Sequence, residues 1–455
     1  MSLAQISDDA LPGLRIVADQ KLFLAALTRA LAEADRNHGP LASMRIVRVR
    51  YRKGERAVIH AEFDGQAADE QALHASIWLR SRESAARRGR KAAAGQAKGA
   101  PVYEPLSGAL VHFFPSDPYV PEIAQFVSDP QRHSAALLGD PAAPAGIPEL
   151  ARFRPGIGAT FRWGAQGTPG AYVKIQKECD ARIAIELLRD MGAASAGRSF
   201  SVPQPKGLSE DINAFAMEEV LGDTLDQRLA KASPSVARAA VSSVLRGLKD
   251  FHECALVPHL RKDRTHLISR AQSAARRVGE IEPGVADRAA ALADRIAGYE
   301  IQLAEKPAHC DIKLEHIVFC GQQVTFLDLD SFALSDPLFD LAMLDLRAMV
   351  AARTGAIGKA ASTAVSDSVR EAARLHYGPN AAPRLAWLKA CASMQVARHF
   401  AQNPGPNSTR LCRLALKTGE KSLGALMLAA TIAIPLPAAM PNVPPAPPSE
   451  TIPCV

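Results

Sequence analysis

The segment 308–342, AHCDIKLEHIVFCGQQVTFLDLDSFALSDPLFDLA, constrains the chain more than any other stretch. Two short apolar runs, Ile317 to Phe319 and Val324 to Leu327, flank the turn Gly321-Gln322-Gln323 and read as a small hairpin. A polar, loop-like stretch from His309 to Glu315 leads in, and Asp328 leads out. Asp311 and His316 then stand on one side of the hairpin's open end, with Asp328 on the other. That grouping suits phosphoryl transfer, which needs a hydroxyl oriented and phosphate charge neutralised, with little covalent chemistry from the protein. One carboxylate takes or steers a hydroxyl proton, and another holds a divalent cation that bridges phosphate oxygens. A lysine to pair with phosphates is available in Gly170-Ala-Tyr-Val-Lys174-Ile.

The order and spacing of these residues resemble the aminoglycoside phosphotransferase family, a branch of the protein-kinase-like fold. The family's catalytic loop reads His-x-Asp, then Asn, Gln or His five residues after the Asp. This chain has His309, Asp311 and His316. A strand ending in Asp follows in the family, then Gly-Asp-Pro-x-x-Asp-Leu-Ala. Here Leu327-Asp328-Leu329-Asp330 is followed by Ser335-Asp336-Pro337-Leu338-Phe339-Asp340-Leu341-Ala342, with Ser in place of the Gly.

The resemblance implies a kinase-type enzyme using ATP and Mg²⁺, with Asp311 as catalytic base and Asp328 as main magnesium ligand. His316 stands where the family often has a metal-binding Asn. A neutral imidazole is a poorer Mg²⁺ partner than oxygen, so it would instead bond a phosphate or steer Asp311. His309 and Asp340 would brace the loop, and Asp330 would join the metal site or face solvent. Lys174 matches the family's ATP-contacting lysine. The helix expected over 178–192 offers it Glu186 or Asp190 as ion-pair partner, with Glu186 preferred. Met217, Glu218, Glu219 and Val220 match the hinge that holds adenine through its backbone. The turn Pro155-Gly156-Ile157-Gly158 would approach the phosphates with its amides.

The implied architecture is α+β and bilobal: a β-rich nucleotide lobe over 146–220, a mainly helical lobe over 221–432, and an extra α/β unit over 1–145. That unit reads as a degenerate repeat of the nucleotide lobe. Tyr51-Arg-Lys-Gly-Glu-Arg-Ala-Val is similar to Phe153-Arg-Pro-Gly-Ile-Gly-Ala-Thr, and each is followed by a later strand, Ile77-Trp78-Leu79 or Tyr172-Val173-Lys174. The repeat period of residues 21–36 predicts a helix, and alternation over 45–63 predicts two strands about Lys53-Gly54. Ser233-Pro234 predicts a capped helix start, with Val241, Val244, Leu245, Leu248 and Phe251 on one face. The basic stretch 80–98 reads as a loop or exposed helix, and the proline-rich residues 433–455 as a disordered tail.

A net charge of +7 over 455 residues is mild and, without a recognition motif, points away from nucleic acid. Seven cysteines without a CxxC pair fit reduced thiols, and the run Leu423 to Ile434 is shorter than the ~20 residues a membrane helix needs. A cytoplasmic protein with a small-molecule hydroxyl substrate is expected. The region after Asp340 carries Arg347, Arg353, Lys359, Arg370, Arg374, Arg384, Lys389 and Arg398 against few acids, which disfavours a polycationic acceptor and favours a neutral or anionic, sugar-like one. No segment for positioning a peptide separates Asp328 from Asp336-Pro337, so a protein kinase is disfavoured. The alternative is a catalytically weak pseudokinase that binds nucleotide as a regulator, a reading left open by His316 and the sparse glycine turn.

Overall fold

The computed structural model describes residues 6, 8–34, 41–65, 72–81, 101–139, 147–165, 168–177, 180–321, 323–403, 405 and 407–432. The basic stretch beyond residue 81 and the tail from 433 onward lie outside them. The architecture is α+β, with sheets in the N-terminal half and helices in the C-terminal half.

The first sheet contains β1 (Leu41–Arg52), β2 (Arg56–Gly65), β3 (Leu73–Arg80), β4 (Val102–Glu104) and β5 (Ala109–Phe113) in the order β1-β2-β3-β5-β4. Further on come β6 (Glu149–Arg154), β7 (Gly158–Trp163), β8 (Ala171–Gln176), β9 (Phe200–Ser201), β10 (Pro205–Ser209) and β11 (Ala214–Glu218). Without β9 these form a second sheet in the order β6-β7-β8-β11-β10. The two orders are the same, and every pairing in both is antiparallel.

The registers also superimpose. Tyr51 faces Ala57 in the first sheet as Phe153 faces Ala159 in the second. Each hairpin turns through a glycine of positive φ, Gly54 at 73° and Gly156 at 65°, a conformation that side chains with a Cβ disfavour. In this register Trp78, opposite Val58, stands where Lys174 stands opposite Thr160. The first sheet therefore carries an indole where the second carries an ammonium.

The second sheet shares its core with residues that precede it. Phe153, Phe161 and Val173 pack with Ile123 and Phe126 of the helix Glu122–Ser128 and Leu137 of the helix Ser134–Leu138. A boundary at 145 would run through this core; in packing terms the first unit ends near Phe113.

The helix Pro234–His252 starts where sequence predicts. Ser233 accepts the Val236 N–H at 3.4 Å, Pro234 opens the first turn, and the expected apolar face is buried. Around it lie the helices Arg264–Ile281, Ala286–Gly298, Leu338–Thr354, Lys359–His376, Ala381–Gln402 and Ser408–Ile432. A small sheet carries the site: β12 (Asp223–Thr224), then, beyond β13 (Lys306–Ala308), β14 (Ile317–Cys320) and β15 (Gln323–Phe326), in the order β12-β14-β15-β9. β13 pairs with β16 (Ala333–Ser335). Among the described residues, five cysteines are free and no helix is long and apolar enough to cross a membrane.

Candidate active site

The site is built on one buried carboxylate. Asp340, in the first turn of the helix Leu338–Thr354, is fully buried. It accepts the backbone N–H groups of His309 and Cys310, each at 2.7 Å, and lies 3.0 Å from His252 Nε2. Burial pushes its carboxyl up, but hydrogen bonding and charge from His252, with help from His309, outweigh that and hold it below the ordinary carboxylate value. His309 in turn reaches the Leu327 carbonyl at 2.9 Å. Through these bonds the loop that presents Asp311 is tied to the strand end that presents Asp328. Cys310 and Asp328 both sit at φ 63°, a left-handed conformation costing each about 1–3 kcal/mol, and the surrounding bonds hold it in place.

Lys174 on β8 crosses to this lobe. Its ammonium donates to Asp328 Oδ1 at 2.7 Å and to Asp330 Oδ1 at 3.2 Å. Burial would lower the lysine's pKa, but the two aspartates raise it above its ordinary value. Asp328 moves the other way: burial pushes it up, yet Lys174 dominates and holds it far below the usual carboxylate range. His316 Nδ1 is buried 3.8 Å from Asp328 Oδ2 and has no hydrogen-bond partner among the described residues. Burial, then the Lys313 charge, drives its pKa down to about 3, so the ring is neutral.

These groups edge a cleft of ≈ 350 Å³, a size that accommodates a nucleotide. Lys174, His316 and Asp328 line it together with Met217, Glu218, Glu219 and Val220. The segment from Met217 to Val220 is tied down by Glu219, which accepts from Arg162 Nε at 2.8 Å and from the Gly170 N–H at 2.9 Å. Residues of β6 and β7, including Arg152, Arg154 and Gly158, also face the cleft.

Two expectations do not survive. The Lys174–Glu186 pair is absent: Glu186 is exposed on the helix Ala181–Ala194, and Asp328 with Asp330 already neutralise the lysine. The glycine turn does not offer its first amides to phosphate. The Gly156 N–H is held by Asp117 Oδ2 at 2.5 Å, and the Ile157 N–H by the Arg154 carbonyl at 2.9 Å. The group freed there is the Arg154 guanidinium, whose buried Nε has no partner among the described residues.

Asp311 lines a second cavity, of ≈ 150 Å³, with Lys262, His266, Arg270, Ser331 and Gln395. Its Oδ2 accepts from Lys313 Nζ at 2.7 Å. Lys313, Lys262 and Arg270 were not singled out from sequence. Only Lys313 had a signal, its place two residues after the aspartate in a loop.

A model of the phosphotransferase enzyme family matches residues 173–387. Among solved structures the chain is similar to a choline/ethanolamine kinase family protein from Mesorhizobium loti, at 16% identity over 66% of this chain and 99% of that one, with a TM-score of 0.44. It is also similar to choline kinase LicA from Streptococcus pneumoniae, at 14% identity over 66% and 99%, with a TM-score of 0.43. A third is a choline kinase from Cryptosporidium parvum, at 8% identity over 68% and 97%, with a TM-score of 0.45. No curated protein matches the chain.

Proposed function

Taking as premise that residues 173–387 belong to the phosphotransferase enzyme family, we propose that the chain moves the γ-phosphoryl group of Mg-ATP to a hydroxyl of a small, neutral or anionic, sugar-like molecule. The observation that carries this reading is the ammonium of Lys174 at 2.7 Å from Asp328, across 154 residues of sequence and at the mouth of a nucleotide-sized cleft. The donor set fits a metal–triphosphate: the fold holds Asp328 ionised, Asp330 stands beside it, and Lys174 and Arg154 supply positive charge facing the cleft. When bound, Mg²⁺ neutralises charge on the phosphate oxygens.

The chain's own residues do the rest. Met217 to Val220 form the wall against which the base would lie. Lys174 grips phosphate while keeping the two aspartates from repelling one another. Asp311 orients the acceptor hydroxyl and takes its proton as the new O–P bond forms and the bond from the γ-phosphorus to the departing ADP breaks, and Lys313 directs that carboxylate by donating to it.

The test is Mg-dependent ADP release across hydroxylated metabolites, with Asp311→Asn alongside. The variant should lose roughly 10²–10⁴ in kcat, the scale of general-base catalysis, and keep its nucleotide affinity. A variant as active as the parent would remove Asp311 from the role. A second reading, a nucleotide-binding regulator with weak catalysis, is favoured by the neutral His316 beside Asp328, whose Nδ1 has no hydrogen-bond partner among the described residues. Tight Mg-ATP binding without turnover on any acceptor would select it.

A further inference from the structure

The basic residues after Asp340 do not all bear on the acceptor. Arg353, Lys359, Arg370 and Arg374 are exposed. Arg384 pairs with Asp336 at 3.3 Å and Lys389 with Asp345 at 2.5 Å. Of the basic residues from 347 to 398 this leaves Arg347 and Arg398, and Arg347 has Asp311 as a charge neighbour. Arg347 is a charge neighbour of Asp311 and Glu315, and its buried Nε has no partner among the described residues.

Other cations join them from distant parts of the chain. Lys262 and Arg270 line the small cavity with Asp311, which contributes its only carboxylate among the described residues. Lys262 donates to the Ser331 carbonyl at 2.7 Å. Arg398 is a charge neighbour of Arg270, and Arg48 of Arg398 and Arg154. Arg48 comes from the N-terminal unit: it lies on β1, which packs against the helices Arg264–Ile281 and Ala381–Gln402, the two that carry Arg270 and Gln395. The buried Nε of Arg48 is also without a partner among the described residues. The exposed His399 has Arg347, Arg48, Lys313 and Asp311 as charge neighbours.

Folding has thus brought three half-buried arginines from three separate elements, Arg48, Arg347 and Arg398, into one region with the exposed Arg270, and the acids that neighbour Arg347 there are Asp311 and Glu315. Burying a cation without a partner is costly, so such a surplus marks where a ligand's negative charge completes the site. Guanidinium forks suit phosphate and carboxylate, which accept two parallel hydrogen bonds.

Resting on the kinase reading and deepening it, we infer that the acceptor carries a phosphate or carboxylate. This anion sits in the cavity beside Asp311 against Lys262 and Arg270, and the N-terminal unit closes over it through Arg48. The extra unit is then part of the acceptor site, and cationic acceptors such as choline or an aminoglycoside are rejected by charge.

The experiment compares matched acceptors by Mg-dependent ADP release: glucose against glucose 6-phosphate and gluconate, glycerol against glycerol 3-phosphate, and choline as the cationic control. In parallel, inorganic phosphate is titrated against the AMP-PNP-loaded protein and its saturable thermal stabilisation is read. Arg270→Glu and Arg48→Ala are compared with the parent, and stabilisation by AMP-PNP alone establishes that each variant is folded. The anionic member of a pair should be preferred by at least tenfold in kcat/KM. Arg270→Glu should raise its KM by tenfold or more with a smaller change in kcat, and both variants should weaken phosphate binding. Equal or better use of the neutral member, or phosphate binding unchanged in both variants, overturns the inference and leaves the kinase reading intact. Failure of the parent to bind AMP-PNP instead overturns the kinase reading. If AMP-PNP binds but no acceptor turns over, the phosphate titration alone decides: saturable binding lost in the variants supports the anion site, and no saturable binding refutes it.

Discussion

At Asp340 one side chain satisfies two backbone N–H groups and an imidazole while itself fully buried. Asp340→Asn can offer only one oxygen, so a buried N–H would face an amide NH₂, at a cost of about 1–3 kcal/mol. Its pH dependence has a definite sign. The folded carboxyl titrates below its ordinary value, so its contribution is complete above about pH 4 and is lost as pH falls through the folded value. Urea midpoints measured from pH 7 to pH 3 should therefore fall less steeply for the variant than for the parent; parallel curves would deny Asp340 this role. The same residue shows what sequence could reveal. Asp311, His316, Asp328 and Asp340 lie within 30 positions, so short-range motif and hairpin pattern were enough to group them. The partner of Lys174 was not readable in the same way. Glu186 was the near candidate, but the carboxylates that won are 154 and 156 positions away, and only the closing of two lobes brings them in. Arg48 was invisible for the same reason, its neighbours being set by packing between units.

At the scale of elements, the β6–β7 turn is held from outside the nucleotide lobe. A Cβ on Gly156 would come within 2.9 Å of Trp78 and 3.1 Å of Arg50, at a φ that already disfavours one. Arg50 donates to the Pro155 carbonyl, and Asp117 accepts the Gly156 N–H. Trp78 itself stacks on Tyr119 with ring centroids 5.0 Å apart. The first sheet thus uses, against its neighbour's turn, the position at which the second presents Lys174. The paired hairpins were legible in sequence as an aromatic-Arg-x-Gly repeat; the use of one repeat to clamp the other was not, because nothing local encodes it. Asp117→Ala should free the turn without opening a large cavity. The expected result is a several-fold rise in KM for ATP with little change in kcat, since the turn flanks the nucleotide cleft and lies apart from Asp311. An unchanged KM would mean that the turn holds its shape by itself.

For the whole molecule, the question is whether the N-terminal unit is a separable domain. Its apolar interior, from Leu14 and Phe23 to Ile77 and Val111, runs without a break into the core of the helical lobe. The join passes through β1 against the helices Arg264–Ile281 and Ala381–Gln402. Independent domains usually meet across polar, modest interfaces and melt separately. A shared core gives the opposite expectation, because unfolding one side exposes apolar surface on the other. Calorimetry should show a single transition for the full chain. Phe23, fully buried in the helix Gln20–Glu33, lies far in sequence from the nucleotide cleft, and Phe23→Ala should cost about 3–5 kcal/mol. If the units are coupled, that variant lowers the whole transition, including the part AMP-PNP stabilises. A split endotherm, with an early component that Phe23→Ala shifts and a later one that only the nucleotide shifts, would show instead that the N-terminal unit folds on its own account and merely leans on the kinase lobes.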